Sequence, residues 1–274
     1  MKNQVGVITP LSEKGPILHY VSDFGLKACQ LCCWNTALYT RERANTLIRE
    51  LRETRMNVTS LWAGWPGPST WNFTEGPTTL GIVPRKYRAI RVTALKQAAD
   101  FAARTGLPAI VTHLGFIPEN PSDPLFGEVV DTVRELGLYC KRRKLEFWFE
   151  TGQETPVTLL RLIETVGTGN LGINLDPANL ILYGKGNPID SLEVFGRYVK
   201  GIHAKDGMYP TEGMNLGHEV KVGKGRVRFP EFVKALAALK YKGAYIIERE
   251  ISGEQQRKDI TATLRDLEKW IARS

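Results

Sequence analysis

Eight short apolar runs, each followed by a segment of helical period, recur along the 274-residue chain, and this alternation limits the possible folds more than any other feature. The runs are VGVIT (5–9), ACQLCCW (28–34), NVTSLWA (57–63), PAIVTHLG (108–115), LEFWFET (145–151), LGINLD (171–176), VKGIHAK (199–205) and GAYIIERE (243–250). Strands that are apolar throughout need cover on both faces, the pattern of a parallel sheet flanked by crossover helices. The intervening segments carry the matching punctuation. In ETPVTLLRLIETVG, Thr155 stands as N-cap, Pro156 in the first turn, Leu159, Leu162, Ile163 and Val166 on one face, and Gly167 as the stop. FPEFVKALAALKYKG repeats the design, with Pro230 at the start, Phe232, Leu236 and Leu239 inward, and Gly243 ahead of the last strand. Ile260, Leu264, Leu267 and Ile271 mark a closing helix.

Eight such units close most economically into one α/β domain, a (β/α)8 TIM barrel over residues 1–274, with no linker inside it. An open doubly wound sheet is the alternative, but no Gly-x-Gly-x-x-Gly follows the first strand. No apolar run approaches the roughly 18–20 residues that cross a bilayer, and the start, MKNQVGVITP, lacks the core of a signal peptide. A cytoplasmic protein with no membrane partner is expected. Cys29, Cys32 and Cys33 crowd together with only Cys140 elsewhere, which is no disulfide framework, and they are read as small apolar packing groups. The net charge of +8 sits largely on segments such as RERANTLIRELRETR (41–55), where Ala44, Leu47, Ile48 and Leu51 make the buried stripe and arginines interleave with glutamates in a solvated face. The charge therefore does not by itself call for nucleic acid.

In a closed parallel barrel the active site assembles at the C-terminal strand ends. Four consecutive runs end in a polar residue there: Glu150, Asp176, His203 and Glu248. Alternation puts each on the face of the residue two before it, Trp148, Asn174, Gly201 and Ile246, so all four can point inward. Three carboxylates and an imidazole gathered in a low-dielectric mouth repel one another unless compensated. A divalent cation removes the difficulty, and this donor set suits Mn²⁺, Mg²⁺, Co²⁺ or Zn²⁺.

The ordered set FETGQET, NLDPANL, HAKDG followed by VGKGRVRFPEF, and GAYIIERE resembles the xylose isomerase-like family of sugar isomerases, sugar 3-epimerases and inosose dehydratases, which shares its barrel with endonuclease IV-type repair enzymes. The resemblance spans nearly the whole chain and is most specific from 145 to 250. It implies that Glu150, Asp176, His203 and Glu248 bind one divalent metal, commonly manganese, and that Glu150 and Glu248 also act as acid and base. The implied chemistry is isomerisation or epimerisation of a sugar, sugar phosphate or polyol by proton abstraction next to a carbonyl, through a metal-stabilised enediolate; loss of a β-hydroxyl from the same species gives a dehydratase instead. Two positions depart from the ketose 3-epimerase pattern, Asn179 replacing a histidine and Pro156 a glutamate, which places activity on free ketohexoses in question.

Further substrate-binding candidates are His113, Gln153, Asn179, Trp62, Lys205 and Asp206. Asn179 serves equally as a turn amide, and Lys205 and Asp206 equally as a surface pair. The loop WAGWPGPSTWNFTEGP brings Trp62, Trp65, Trp71 and Phe73 to the mouth as a stacking wall or as a homo-oligomer interface. An endonuclease IV-like activity would need a multi-zinc site rich in histidine, whereas the chain has four: His19, His113, His203 and His218. No nucleic-acid partner is expected. A binding barrel without turnover is the third reading, and the intact ligand set opposes it.

Overall fold

A computed structural model describes residues 4–274; the first three positions of the expected domain lie outside the described residues. The strands are β1 (Val5–Pro10), β2 (Ala28–Cys33), β3 (Asn57–Ala63), β4 (Ala109–Thr112), β5 (Glu146–Glu150), β6 (Leu171–Leu175), β7 (Val199–Ala204), β8 (Asp206–Met208), β9 (His218–Val220) and β10 (Tyr245–Ile247). The helices are α1 (His19–Ser22), α2 (Arg41–Thr54), α3 (Gly76–Thr79), α4 (Arg85–Thr105), α5 (Pro124–Lys141), α6 (Pro156–Val166), α7 (Pro177–Leu182), α8 (Pro188–Phe195), α9 (Phe229–Ala238) and α10 (Glu254–Ile271). β1 to β7 and β10 pair in parallel in the order β1-β10-β7-β6-β5-β4-β3-β2, and the β1–β2 pairing closes the barrel. The fold is the (β/α)8 TIM barrel read from the sequence.

The punctuation of α6 is as expected: the Thr155 hydroxyl accepts from the Thr158 N–H, Pro156 is the first residue, and Gly167 ends the helix at φ 63°. The last helix also follows its stripe, with Ile260 and Leu267 buried and Leu264 and Ile271 half-buried against the core. Leu239 departs from expectation. α9 ends at Ala238, so Leu239 falls just past it and is 49% exposed.

β4 stops at Thr112 instead of running to Gly115, because the Leu114 carbonyl is taken by the N–H groups of Ile82 and Val83. β10 is cut to three residues because Arg249 turns away to Glu219 and Asp259. The antiparallel pair β8–β9 adds a small flap after β7 that the sequence did not signal.

Apolar side chains on the outer strand faces pack against the helices, among them Leu61, Phe147, Phe149, Ile173 and Ile202, all fully buried. Inside the barrel Trp148 is a bulky filler, clustered with Trp62, Ala109 and Val111. Its neighbour across the sheet is Gly172, where a Cβ would stand 2.6 Å from the Trp148 ring. The interior accommodates one large side chain by removing another. Among the described residues no helix is long and apolar enough to cross a membrane.

Candidate metal centre and active-site pocket

Glu150 closes β5, Asp176 follows β6, His203 lies near the end of β7 and Glu248 follows β10, so four neighbouring strands deliver them to one end of the barrel. One donor atom from each lies within 4.8 Å of the others. The ends of β5 and β6 are locked together: the Thr151 hydroxyl donates to the Asp176 carbonyl at 2.8 Å and accepts from the Asp176 N–H at 2.9 Å. Asp176 divides its carboxylate. Oδ1 accepts from the Asn179 N–H at 3.0 Å and caps α7, while Oδ2 has no hydrogen-bond partner among the described residues. A strand ending in Asp-Pro-x-Asn thus serves two purposes, starting a helix and presenting an oxygen.

His203 is oriented from below. Its Nε2 lies 2.7 Å from Gln30 Oε1, and because an amide oxygen only accepts, Nε2 carries the proton. The Gln30 amide nitrogen donates to Ser60 Oγ at 2.9 Å and to Asn174 Oδ1 at 3.3 Å, all in the barrel interior. Nδ1 of His203 is left facing the acids, 3.0 Å from Glu248 Oε2 and 3.2 Å from Glu150 Oε1. These are ion-pair distances; neither Nδ1 nor Glu248 Oε2 makes a hydrogen bond of good direction among the described residues. Buried oxygen and nitrogen lone pairs left without directed partners around one point are what a small divalent cation requires. The donor set of three oxygens and one nitrogen fits such an ion, and the histidine tautomer is the one that leaves Nδ1 to coordinate.

The acids do not titrate alike. Burial pushes the Glu150 carboxyl up, but the imidazoles of His203 and His113 outweigh it and hold it well below the usual range. Burial likewise opposes ionisation of Glu248, and Lys205 and His203 bring it below its ordinary value. Asp176 is pushed up to about 7, by burial first, with Lys205 resisting and Glu248 and Glu150 adding to the rise. His203 and Lys205 go well above their usual values: burial disfavours both charges, and the surrounding carboxylates, Glu150 and Glu248 for the one, Glu248, Asp176 and Glu250 for the other, overcome it.

Over this cluster opens a cavity of about 360 Å³, bordered by Glu150 and Glu248. Four of the substrate-binding candidates line it: Trp62, His113, Asn179 and Lys205. The Trp62 indole N–H donates to Glu150 Oε2, and His113 Nε2 is 3.4 Å from Glu150 Oε1. Asn179 is more than a turn amide, its Nδ2 reaching Glu150 Oε1 at 3.4 Å and the Thr151 carbonyl at 3.2 Å while its Oδ1 accepts from Lys205 Nζ at 3.3 Å. Lys205 is buried and paired with Glu250 at 2.8 Å, so it is not a surface residue. Gln153 is buried without lining the cavity.

Asp206 is turned away altogether. Its two oxygens accept from the N–H groups of Gly207, Gly223, Gly225 and Val227 at 2.9–3.1 Å, and a Cβ at Gly225 would come within 2.2 Å of Oδ1. The Gly-Lys-Gly turn is folded around this carboxylate, which leaves none of it for a substrate.

Several pocket residues escaped sequence reasoning. Beneath the pocket Gln30 and Asn174 are lone amides inside apolar runs, and no local pattern marks the hydrogen-bonded chain by which they hold His203. Cys29, Cys33 and Cys140 are buried as expected, whereas Cys32 borders the cavity, as do Trp34 and Tyr183. The tryptophans form a connected wall: the Trp34 ring lies 5.0 Å from Trp62 and 6.5 Å from Trp71, and Trp71 lies 5.0 Å from His113.

The closed parallel barrel with an acid-and-imidazole cluster at its C-terminal rim defines a class of (β/α)8 proteins that gather polar side chains from successive strand ends. Residues 18–272 match the xylose isomerase-like TIM barrel family, and the chain belongs to it. A xylose isomerase domain protein from Planctomyces limnophilus is 35% identical over the full length of both chains, with a TM-score of 0.94. A D-tagatose 3-epimerase-like protein shares the fold at 19% identity, TM-score 0.75, over 99% of this chain and 97% of its own. An uncharacterized protein of Methanocaldococcus jannaschii is 24% identical over 178 residues, and the match spans 60% of this chain and 58% of that protein.

Proposed function

We propose that the protein is a metal-dependent isomerase or epimerase of a small sugar or polyol, working as a single domain in the cytoplasm and moving a proton next to a carbonyl. The observation that carries this reading is the convergence of Glu150, Asp176, His203 and Glu248 donor atoms within 4.8 Å at the edge of a pocket. These four residues would hold one divalent ion, Mn²⁺ first among the candidates, which would polarise a bound carbonyl and favour departure of the adjacent proton. Membership of the xylose isomerase-like family and the similarity to a D-tagatose 3-epimerase-like protein agree with it.

The chain's own groups then divide the work. Glu150 and Glu248 both border the pocket and are both held ionised, so either can accept a proton from a substrate carbon. The Trp62 N–H and the Asn179 amide fix the direction of the Glu150 carboxylate. Glu150 and Glu248 come from strands separated by β6 and β7, which lets one remove a proton and the other return one. Return to the opposite face of the same carbon is epimerisation; return to the neighbouring carbon is isomerisation. Departure of a β-hydroxyl would make the reaction a dehydration. His113 and the tryptophan wall supply a hydrogen-bonding group and apolar faces for a sugar ring.

Solvent-deuterium incorporation into candidate keto-sugars and inososes tests this. Exchange by the manganese-loaded protein is expected, with a loss of at least about a hundredfold in Glu150→Gln and in Glu248→Gln. Exchange unchanged in both variants would falsify the acid–base assignment. A nuclease reading is less well supported, since His113 is the one further imidazole bordering the pocket.

A further inference from the structure

The connection between β3 and α4, residues 64–84, is much longer than a barrel needs to join a strand to its helix, and it carries Trp65, Trp71 and Phe73. Long loops over a pocket commonly work as lids that open and close. This one is tied at its neck. Arg91, in the second turn of α4, is fully buried, and each of its three nitrogens donates to a backbone carbonyl of the loop: Nε to Pro66 at 3.2 Å, Nη2 to Pro68 at 2.7 Å and Nη1 to Gly81 at 2.5 Å. Pro66 and Pro68 lie on the outgoing limb and Gly81 on the returning one, so one side chain spans both.

No carboxylate pairs with this guanidinium among the described residues. Burial draws its pKa down to about 10, which leaves it charged at neutral pH. The Tyr87 and Trp65 rings stand 4.8 and 5.3 Å from its Cζ. A buried cation without a counter-ion is costly unless hydrogen bonds and aromatic faces replace water, and an apolar side chain would fill the same space without that cost. What the planar fork adds is geometry, because three donors in fixed relation set the separation of the two limbs.

The rest of the loop is braced from the same neck. Gly81, at φ 67°, lies so close to the connection after β4 that a Cβ would stand 2.0 Å from the Leu114 carbonyl, and the Ile82 N–H donates to that carbonyl at 2.8 Å. Within the loop the Thr70 N–H donates to Thr79 Oγ1 at 3.1 Å, and Asn72 Oδ1 accepts from the N–H groups of Glu75 at 2.7 Å and Gly76 at 3.1 Å. Trp71 is carried between these ties. Its ring lines the pocket, 5.0 Å from His113 and 6.4 Å from Trp65, which itself packs on Arg91.

We propose that Arg91 is a positioning residue of the pocket: by closing the neck of the 64–84 loop it holds Trp71 beside His113 as a fixed wall, so that the pocket is shaped before a sugar ring arrives and not by a closing lid. This rests on the reading of the pocket as the active site.

The test is amide hydrogen exchange of the manganese-loaded protein, read by mass spectrometry on peptides covering 69–80, with β5 and β6 as the internal reference. The wild-type loop is expected to be protected with no sugar present. Arg91→Met keeps the hydrocarbon stem and Arg91→Lys keeps the charge, but neither keeps the fork. Both should speed exchange in 69–80 at least about tenfold and leave β5 and β6 unchanged. Solvent-deuterium incorporation into the keto-sugars and inososes named above then separates binding from chemistry: KM should rise about tenfold while kcat holds within about twofold. A wild-type loop that exchanges as fast as an unstructured peptide would overturn the proposal without any variant. Wild-type protection in both variants, acceleration spread evenly over loop and barrel in both, or a fall in kcat at constant KM would contradict it as well. Absence of turnover with every sugar would count against the function proposed above and leave the amide exchange to decide this inference.

Discussion

His203 has two ring nitrogens with different neighbours, and that division makes Gln30 the residue whose loss should be felt at the candidate metal centre without touching it. Gln30 Oε1 accepts the Nε2–H and so fixes which nitrogen faces the three acids. Replacing it by leucine removes the acceptor, frees the ring to change tautomer and leaves a buried N–H unpaired. We expect Gln30→Leu to weaken Mn²⁺ binding by about 10–100-fold in a calorimetric titration, with the circular dichroism spectrum retained. Gln30→Glu, which keeps an acceptor oxygen, should recover part of the loss. Wild-type affinity in Gln30→Leu would show that the amide does not position the ring. The strand-end acids could be read from the sequence because alternation in a strand dictates the face. Gln30 could not, since nothing in ACQLCCW distinguishes an amide inside the barrel from one beneath a helix.

Helix α2 illustrates why an amphipathic stripe is an incomplete guide. Ala44 and Leu47 are buried and Ile48 and Leu51 half-buried as the period predicts, but Glu50, assigned to the solvated face with the other glutamates, is buried too. Its carboxylate accepts from the N–H of Ile17 at 2.9 Å and of Leu18 at 2.8 Å, at the entry to α1. This contact joins residues far apart in sequence, and no local pattern encodes it. Glu50→Ala leaves two buried donors without a partner and should destabilise the protein by about 1–3 kcal/mol in urea denaturation. An unchanged midpoint would mean water replaces the carboxylate at no cost. The same limit hid the β8–β9 flap, whose strands are three residues each. By contrast α6 was legible from cap to stop because Thr155, Pro156 and Gly167 act within a single turn of their own backbone.

Taken whole, the molecule separates its charges. The chain is basic by 8, and many of its cations lie on the outer helices, in pairs such as Arg88–Glu128 and Lys96–Glu135 between α4 and α5. The pocket mouth instead carries Glu150, Glu248 and Glu250 against Lys205. A basic total thus says little about what approaches the rim, where the charge is locally acidic. Eight strands and their order were legible because a parallel barrel imposes one period on the whole chain. A second cavity beside the pocket was not legible, because residues 8–20 and 249–256 meet only once β10 pairs with β1. The reading as a metal centre can be checked by soaking crystals in Mn²⁺ and recording anomalous differences at the manganese absorption edge. One strong peak is expected, within about 2.0–2.4 Å of an oxygen from each of Glu150, Asp176 and Glu248 and of His203 Nδ1, and absent in Asp176→Asn. A map with no peak there at saturating Mn²⁺, or with the four side chains turned from one another, would contradict it.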